Sequence, residues 1–437
     1  MISNAGWLVF EKLIRIVQGI LVGAAVARYL QPERFGVLSL GLTIVGIATM
    51  LSELSLEKIL VKYYATNEWN KEKLLSQAWK TTSIFGLILF ATTILSSQFI
   101  EFKSLKYTIV VLSFGLLEQT SFIYRVPFTA SLQSKKLVIL DLLVSLVFAV
   151  FQIYLILQKA DLVFFALVYV LSKMVTGASI YLLYRSTFKD ANVSERNIIS
   201  IQRLIRESFP ILSAALIAYL YTKVDRVMVG YISGIEELGF YSVAGRIYEY
   251  SWIIPTSLIQ SVQPKIAIEA SREEGFNHEL FKKICSSLAF IGILMNILFL
   301  VSSQLIITLL YGEEYRRSIV ILIILSFSLL PLCIGRLRNF IWIAHGFQKY
   351  LIYVNIAGLI TNFVLNLILI PKYGGAGAAL ATVVSITIQM WLSTYFLKST
   401  RVVGKLQTES VVIALSPSFL LKINDHIRLI LREKVNF

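Results

Sequence analysis

Apolar residues run along this chain in twelve long stretches, each close to the about 20 residues that an α-helix needs to cross a bilayer. They cover 6–29, 36–57, 79–100, 105–127, 137–158, 162–184, 208–232, 239–262, 284–310, 318–343, 350–370 and 376–397. The first is as long as its successors and lacks a basic leader, so it reads as the first span and not as a cleavable signal. The pattern predicts an all-α integral membrane protein of about twelve transmembrane helices. A tail, 398–437, holds one further apolar piece, Val411 to Leu421, interrupted by Pro417 and too short to span, which reads as an interfacial or packing segment.

Composition agrees: 57% of the 437 residues are hydrophobic, 15% are charged, and mean hydropathy is +0.73. Two cysteines exclude a disulfide-stapled class. The formal net charge of +15 would suggest nucleic acid in a soluble chain; here its placement follows topology. The connections after even-numbered spans, with their flanks, hold 20 Lys and Arg, and those after odd-numbered spans hold 8. Cytoplasmic loops carry the positive excess. The even connections, both termini and the basic tail are therefore expected in the cytoplasm, and no nucleic-acid partner is expected. The outer connections are too short to hold a folded domain.

The chain also repeats itself. The exit of the first stretch, Arg28 to Ser39, resembles the exit of the seventh, Gly230 to Ser242. Leu132-Gln133-Ser134-Lys135 resembles Phe347-Gln348-Lys349, and Leu157-Gln158-Lys159 resembles Ile370-Pro371-Lys372. Two six-helix bundles, 1–190 and 208–397, joined by a cytoplasmic linker at 191–207, are expected to be related by a pseudo-two-fold axis along the membrane normal. In transporters built this way the site lies between the repeats.

Four helices carry polar stripes at membrane depth, where an ionisable group usually faces a cavity or a partner. Span 1 has Glu11, Arg15 and Gln18; span 2 has Ser39, Thr43, Gly46, Glu53 and Glu57; span 7 has Lys223 and Arg226 on one face and Asp225 on another; span 8 has Ser242, Arg246, Glu249, Thr256 and Gln260. Arg15 is expected near the midplane and Lys223, Arg226 and Arg246 in the outer half. A cavity so lined is cationic and suits an anionic head group such as a phosphate ester. Simple pairing is the competing reading, since Glu11 with Arg15 and Arg246 with Glu249 have intrahelical spacing. Glu118, Asp141, Lys173, Arg336 and Arg338 read as helix–helix polar contacts or as side chains reaching the interface.

No G-x-x-x-x-G-K-[ST] loop occurs, the three histidines show no metal-ligand spacing, and no nucleophile elbow is found. No catalytic residue, metal or cofactor is expected, and the protein reads as a transporter, not an enzyme. Energy would come from substrate flux or from a proton or sodium gradient.

The run Ala27-Arg28-Tyr29-Leu30-Gln31-Pro32-Glu33-Arg34-Phe35-Gly36 resembles the span 1 to span 2 signature of Wzx-type O-antigen and polysaccharide repeat-unit flippases. Val224-Asp225-Arg226 through Gly239 to Arg246, Leu310 to Tyr315, and Pro371 to Thr382 are similar to the same family, in the same order. Gln31 departs, standing where the signature usually has glycine. The family belongs to the multidrug/oligosaccharidyl-lipid/polysaccharide exporter superfamily. The resemblance implies a multi-pass bacterial inner-membrane protein of O-antigen, lipopolysaccharide or capsule biosynthesis. It would move undecaprenyl-pyrophosphate-linked oligosaccharide to the outer leaflet by alternating access, next to glycan polymerase machinery. By helix and approximate depth, the family's functional residues map onto Arg15, Lys223, Arg226 and Arg246 for substrate, with Glu11, Glu53, Asp225 and Glu249 as further cavity or ion-coupling candidates. A drug/cation antiporter of the same superfamily would favour acidic residues in these stripes. A membrane-embedded glycan polymerase or ligase would need a large outer loop.

Overall fold

A computed structural model describes residues 2–66, 69–188, 199–270, 277–344, 346–396, 398, 400–416 and 419; for 2–13, 261, 264–265, 267–270, 344 and 348 it describes the backbone alone. Every regular element of the described chain is helical. The physical reason is that hydrocarbon offers the backbone no hydrogen-bond partner, so each apolar segment must satisfy its own N–H and C=O groups.

Among the described residues nine helices are long and apolar enough to cross a membrane. Two of these, Ile14–Thr66 and Lys349–Tyr395, run to 53 and 47 residues. At about 1.5 Å per residue either would be more than twice the ~30 Å hydrocarbon thickness. Each is interrupted: α1 (Ile2–Glu53) has non-helical backbone at Gln31, and α15 (Gln348–Met390) at Gly374. The expected eighth span, 239–262, is divided at Trp252 between two helices and is not among the nine.

The chain folds as two compact units, Met1–Gly230 and Tyr231–Phe437. The first contains α1, α2 (Glu57–Thr66), α3 (Lys71–Ser97), α4 (Lys103–Ser113), α5 (Thr120–Ile123), α6 (Val126–Ala130), α7 (Ser134–Leu157), α8 (Leu162–Thr187) and α9 (Ile201–Ile232), whose last two residues pass the boundary. The sequence places the division at 191–207, with 208–232 opening the second half. Residues 189–198 lie outside the described ones; α9 begins at Ile201 and falls with the first unit. Its Leu204 and Leu212 pack in one apolar cluster with Leu54, Leu60 and Ile123.

Within the first unit the break at Gln31 reverses the chain. Both sides of it meet the turn between α7 and α8: the Tyr29 hydroxyl donates to Ala160 O at 2.8 Å, and Arg34 pairs with Asp161 at 3.5 Å. Far from this turn the incoming arm bonds α7, Gln18 to Ser145 O at 2.6 Å, whereas the outgoing arm accepts at Ser52 Oγ from Gln119 at 3.1 Å. Gln31 sits at φ 63°, ψ 165°, a region that glycine alone enters without strain.

The second unit contains α10 (Ile235–Ser251), α11 (Ile253–Ala270), α12 (His278–Tyr311), α13 (Arg317–Ser326), α14 (Leu329–Ala344), α15 and α16 (Arg401–Ala414). Taken by itself, it repeats the devices of the first. Ser233 Oγ donates to Ile370 O at 3.1 Å, as Tyr29 does to Ala160. Asn70 caps α3 by accepting from Lys73 N (3.0 Å), and Asn277 caps α12 by accepting from Leu280 N (2.9 Å). The fourth apolar stretch breaks into a 3-10 turn at Phe114–Leu117, and the tenth breaks at Phe327 and Ser328. Opposite each break stands a glycine: a Cβ on Gly86 would come within 2.5 Å of Leu116 O, and one on Gly292 within 2.8 Å of Leu330 Cα. The two units thus share a pair of helix breaks, each faced by a closely packed glycine.

The tail differs from expectation in one respect. Residues 401–414 form α16, which packs on α12; buried Gln407 donates to Ile334 O and Met390 O, both at 3.2 Å, and Lys282 pairs with Glu409 at 2.8 Å. The small Gly404 lets the helix close on Thr394 and Tyr395.

Candidate functional site

The expected substrate residue Arg15 belongs to a charged cluster built by three apolar stretches of the first unit. Asp141, about two turns into α7, is 1% exposed. It accepts from Arg125, in the α5–α6 connection, through both oxygens at 2.8 and 2.5 Å, and pairs with Arg15 at 3.2 Å. A carboxylate buried this deeply is tolerable only when paired, and the fork of Arg125 matches it oxygen for oxygen. Arg15 is 47% exposed. Its guanidinium is therefore oriented by a buried anion while the side chain stays nearly half exposed. Glu11 carries no described side chain.

A second polar knot lies nearby in the chain order. Glu118 accepts from Thr120 N (2.8 Å), Ser121 N (2.9 Å), Ser121 Oγ (2.6 Å) and the Thr120 hydroxyl, and so caps the short α5. Lys173 on α8 donates to Gly115 O at 2.9 Å, satisfying a carbonyl released by the 3-10 turn. Glu53 is half-buried and in electrostatic reach of Lys173, Glu57 and Glu118. On α9, Asp225 is buried while Lys223 and Arg226 are half-buried. The Tyr219 hydroxyl, one turn earlier, donates to Thr43 O at 3.3 Å.

In the second unit Arg246 and Glu249 are half-buried on α10, with Tyr311 and Tyr315 close to Arg246. Burial pushes the Tyr315 hydroxyl well above its ordinary range, and Arg246 acts in the opposite sense. Lys223, Asp225, Arg226, Arg246 and Glu249 each take part in an interaction, and none stands free. Arg338 is of another kind. It is 0% exposed and held by Gln389 O (2.7 Å), Ser393 Oγ (2.9 Å) and Asn339 Oδ1 (2.7 Å), with Trp342 stacked 4.2 Å away. Arg336 donates to Thr256 and lies over Trp252 at 5.1 Å. These two arginines tie helices of one unit together.

Cys285 and Cys333 pack in one apolar cluster. Among the described residues no group of three or more His, Cys, Asp or Glu is placed to hold a metal ion. What the sequence reading missed is Asp141 as the residue that orients Arg15. The signal available was an acid and two arginines near the same end of neighbouring apolar stretches, but helix adjacency had to be known to connect them.

The fold is that of a multi-pass helical transporter. It matches lipid II flippase MurJ in an inward closed conformation with a TM-score of 0.70 at 15% identity, over 99% of this chain and 97% of that one. An inward-facing multidrug resistance MATE family transporter matches at 0.64 and 14% identity, over 93% and 99%. In sequence, residues 1–267 match the polysaccharide biosynthesis protein family, and residues 200–423 match lipid II flippase MurJ. The chain belongs to the polysaccharide biosynthesis protein family. It is similar to the capsular polysaccharide biosynthesis protein CapF of Staphylococcus aureus, 27% identical across 46% of this chain and 51% of that protein. It is also similar to the probable flippase AglR of Haloferax volcanii, 28% identical across 38% and 36%. The aligned stretches thus span about half and about a third of those relatives.

Proposed function

We propose that this protein is a flippase for a lipid-linked oligosaccharide, with an undecaprenyl-pyrophosphate-linked O-antigen or capsule repeat unit as its substrate in a bacterial inner membrane. The observation that carries the reading is Arg15, a guanidinium at membrane depth that is oriented by buried Asp141 and is nevertheless nearly half exposed. Arg338, by contrast, is fully enclosed. The names of the relatives, a capsule biosynthesis protein and a probable flippase, support the same reading.

The physical task is to carry charge and hydroxyls through hydrocarbon, where each desolvated polar group costs on the order of several kcal/mol. A hydrated, basic cleft replaces the lost hydration. Arg15, Lys223, Arg226 and Arg246 hold the pyrophosphate, the sugars occupy the cleft, and the lipid tail stays in the bilayer. Rocking of the two repeated halves exposes the cleft first to the cytoplasm, where both termini lie, and then to the far side. Glu11, Glu53, Asp225 and Glu249 would take up a coupling proton or sodium ion. Transport in this scheme needs no catalytic group.

Deleting the gene in its host tests this reading. Lipid-linked repeat units should accumulate on the cytoplasmic face. Continued export of single units, with only the polymer missing, would assign the protein to polymerisation instead.

A further inference from the structure

The first unit contains an aromatic ladder that transport of a pyrophosphate does not require. Phe128 meets Phe188 at 5.1 Å between ring centroids, Phe188 meets Tyr184 at 5.7 Å, and Tyr124 meets both Tyr184 and Tyr181 at 4.9 Å. The ladder is graded. Phe128 is 0% exposed and packs with Leu137 and Ile180, whereas Tyr124, Tyr181 and Tyr184 are half-buried. A stack serving only as core would gain nothing from hydroxyl groups, because each needs a partner when buried. Phe128 alone in the ladder is fully buried, and of the four half-buried rings, Phe188 and the three tyrosines, three carry a phenol. Among the described residues nothing bonds these hydroxyls, and none of them is sealed from solvent.

Charged groups frame the open end. Exposed Glu72, at the start of α3, lies in electrostatic reach of Tyr124 and Tyr184, and exposed Arg185 has its Cζ 5.9 Å from the Tyr181 ring. Rings that offer an apolar face, phenols that both donate and accept, and a carboxylate and a guanidinium at the rim are the donor set that suits a pyranose: one C–H-rich face and a belt of hydroxyls. Tyr124 is moreover the chain neighbour of Arg125, which holds the Asp141 that orients Arg15.

We propose that Tyr124, Tyr181 and Tyr184, framed by Glu72 and Arg185, form a saccharide-binding platform that receives the sugar next to the lipid pyrophosphate. The proposal rests on the flippase reading and deepens it: Arg15 recognises the charge common to all such lipids, and the tyrosines distinguish a glycosylated lipid from a bare one.

The full-length protein in nanodiscs tests this with two probes, farnesyl pyrophosphate and farnesyl-pyrophosphate-linked N-acetylglucosamine, by equilibrium binding. Wild type should hold the glycosylated probe about tenfold more tightly, equivalent to ~1.4 kcal/mol. Tyr124→Ala and Tyr184→Ala should erase that preference while leaving the affinity for the bare probe within about twofold, well under the tenfold that 1.4 kcal/mol represents. Tyr124→Phe and Tyr184→Phe, which keep the packing, should retain part of the preference. Equal affinity of wild type for both probes, or a preference that survives both alanine variants, overturns the platform and leaves the flippase reading standing. Failure of wild type to bind either probe overturns both.

Discussion

The two units solve the same problem, placing an arginine inside a helical membrane protein, in different ways. In the first, Arg125 is matched by the carboxylate of Asp141, and that carboxylate also reaches Arg15 at the edge of the cluster. In the second, Arg338 is enclosed by a carbonyl, a hydroxyl and an amide oxygen. By the repeat offset of about 214 residues, the place of Asp141 is taken by Asn355, which accepts from the Gln389 side chain at 2.7 Å. The neutral version encloses its arginine completely. The charged version leaves an oriented cation that is nearly half exposed. Of the two anchors, the one built on a carboxylate is the one that can present charge to a ligand.

The largest expected effect separates the two anchors. Asp141→Ala leaves two guanidiniums around an emptied site and should cost about 3–5 kcal/mol, read as a lower thermal midpoint in detergent. Arg338→Met removes the hydrogen bonds to Gln389 O, Ser393 Oγ and Asn339 Oδ1 and should cost about 2–5 kcal/mol. The comparison predicts that lipid binding at permissive temperature falls for Asp141→Ala and survives in Arg338→Met. Equal loss of binding in both would remove the distinction.

Next come the glycines opposite the paired helix breaks. Gly292→Ala and Gly86→Ala each press a methyl against backbone atoms. Each should cost roughly 1–3 kcal/mol, measured by the same unfolding assay. No loss at either would show that the breaks are softer than their close packing indicates.

The smallest effect has the opposite sign. Gln31, at the break in α1, and Gly234, just before α10, both have positive φ with extended ψ. Gln31 gains one local bond in return, from its Nε2 to Arg28 O at 3.0 Å. Gln31→Gly should relax strain of order 1–3 kcal/mol but loses that bond, for a net stabilisation of about 1 kcal/mol. A lower midpoint would mean that the bond outweighs the strain.

Much of this was legible in the residues. The apolar stretches coincide with helices because a spanning segment needs little beyond length and hydrophobicity. The repeat was readable from Arg28–Ser39 and Gly230–Ser242, and Gln31 stood out as a departure from a glycine position. The breaks at Phe114–Leu117 and Phe327–Ser328 were not legible, since the sequence there stays apolar and the close packing at each involves a glycine on another helix. Asp141 was read as a helix–helix contact, which it is toward Arg125; its hold on Arg15 depends on three helices meeting, which no local pattern encodes. The α16 helix was hidden because its buried face includes Gly404, Gln407 and Ser410, polar or small residues that an apolar pattern passes over.

The central claim is that Arg15 presents an oriented cation to a lipid-linked pyrophosphate during transport. It is tested most directly by reconstituting wild type, Arg15→Ala and Arg15→Lys in liposomes and following the transbilayer movement of a labelled undecaprenyl-pyrophosphate oligosaccharide. One charge-assisted contact is worth about 1.5–3 kcal/mol, or roughly 10- to 100-fold in rate. The account predicts a loss of that size for Arg15→Ala, partial retention for Arg15→Lys, and normal insertion of both. Movement at the wild-type rate by Arg15→Ala, or wild-type movement no faster than in empty liposomes, would contradict it.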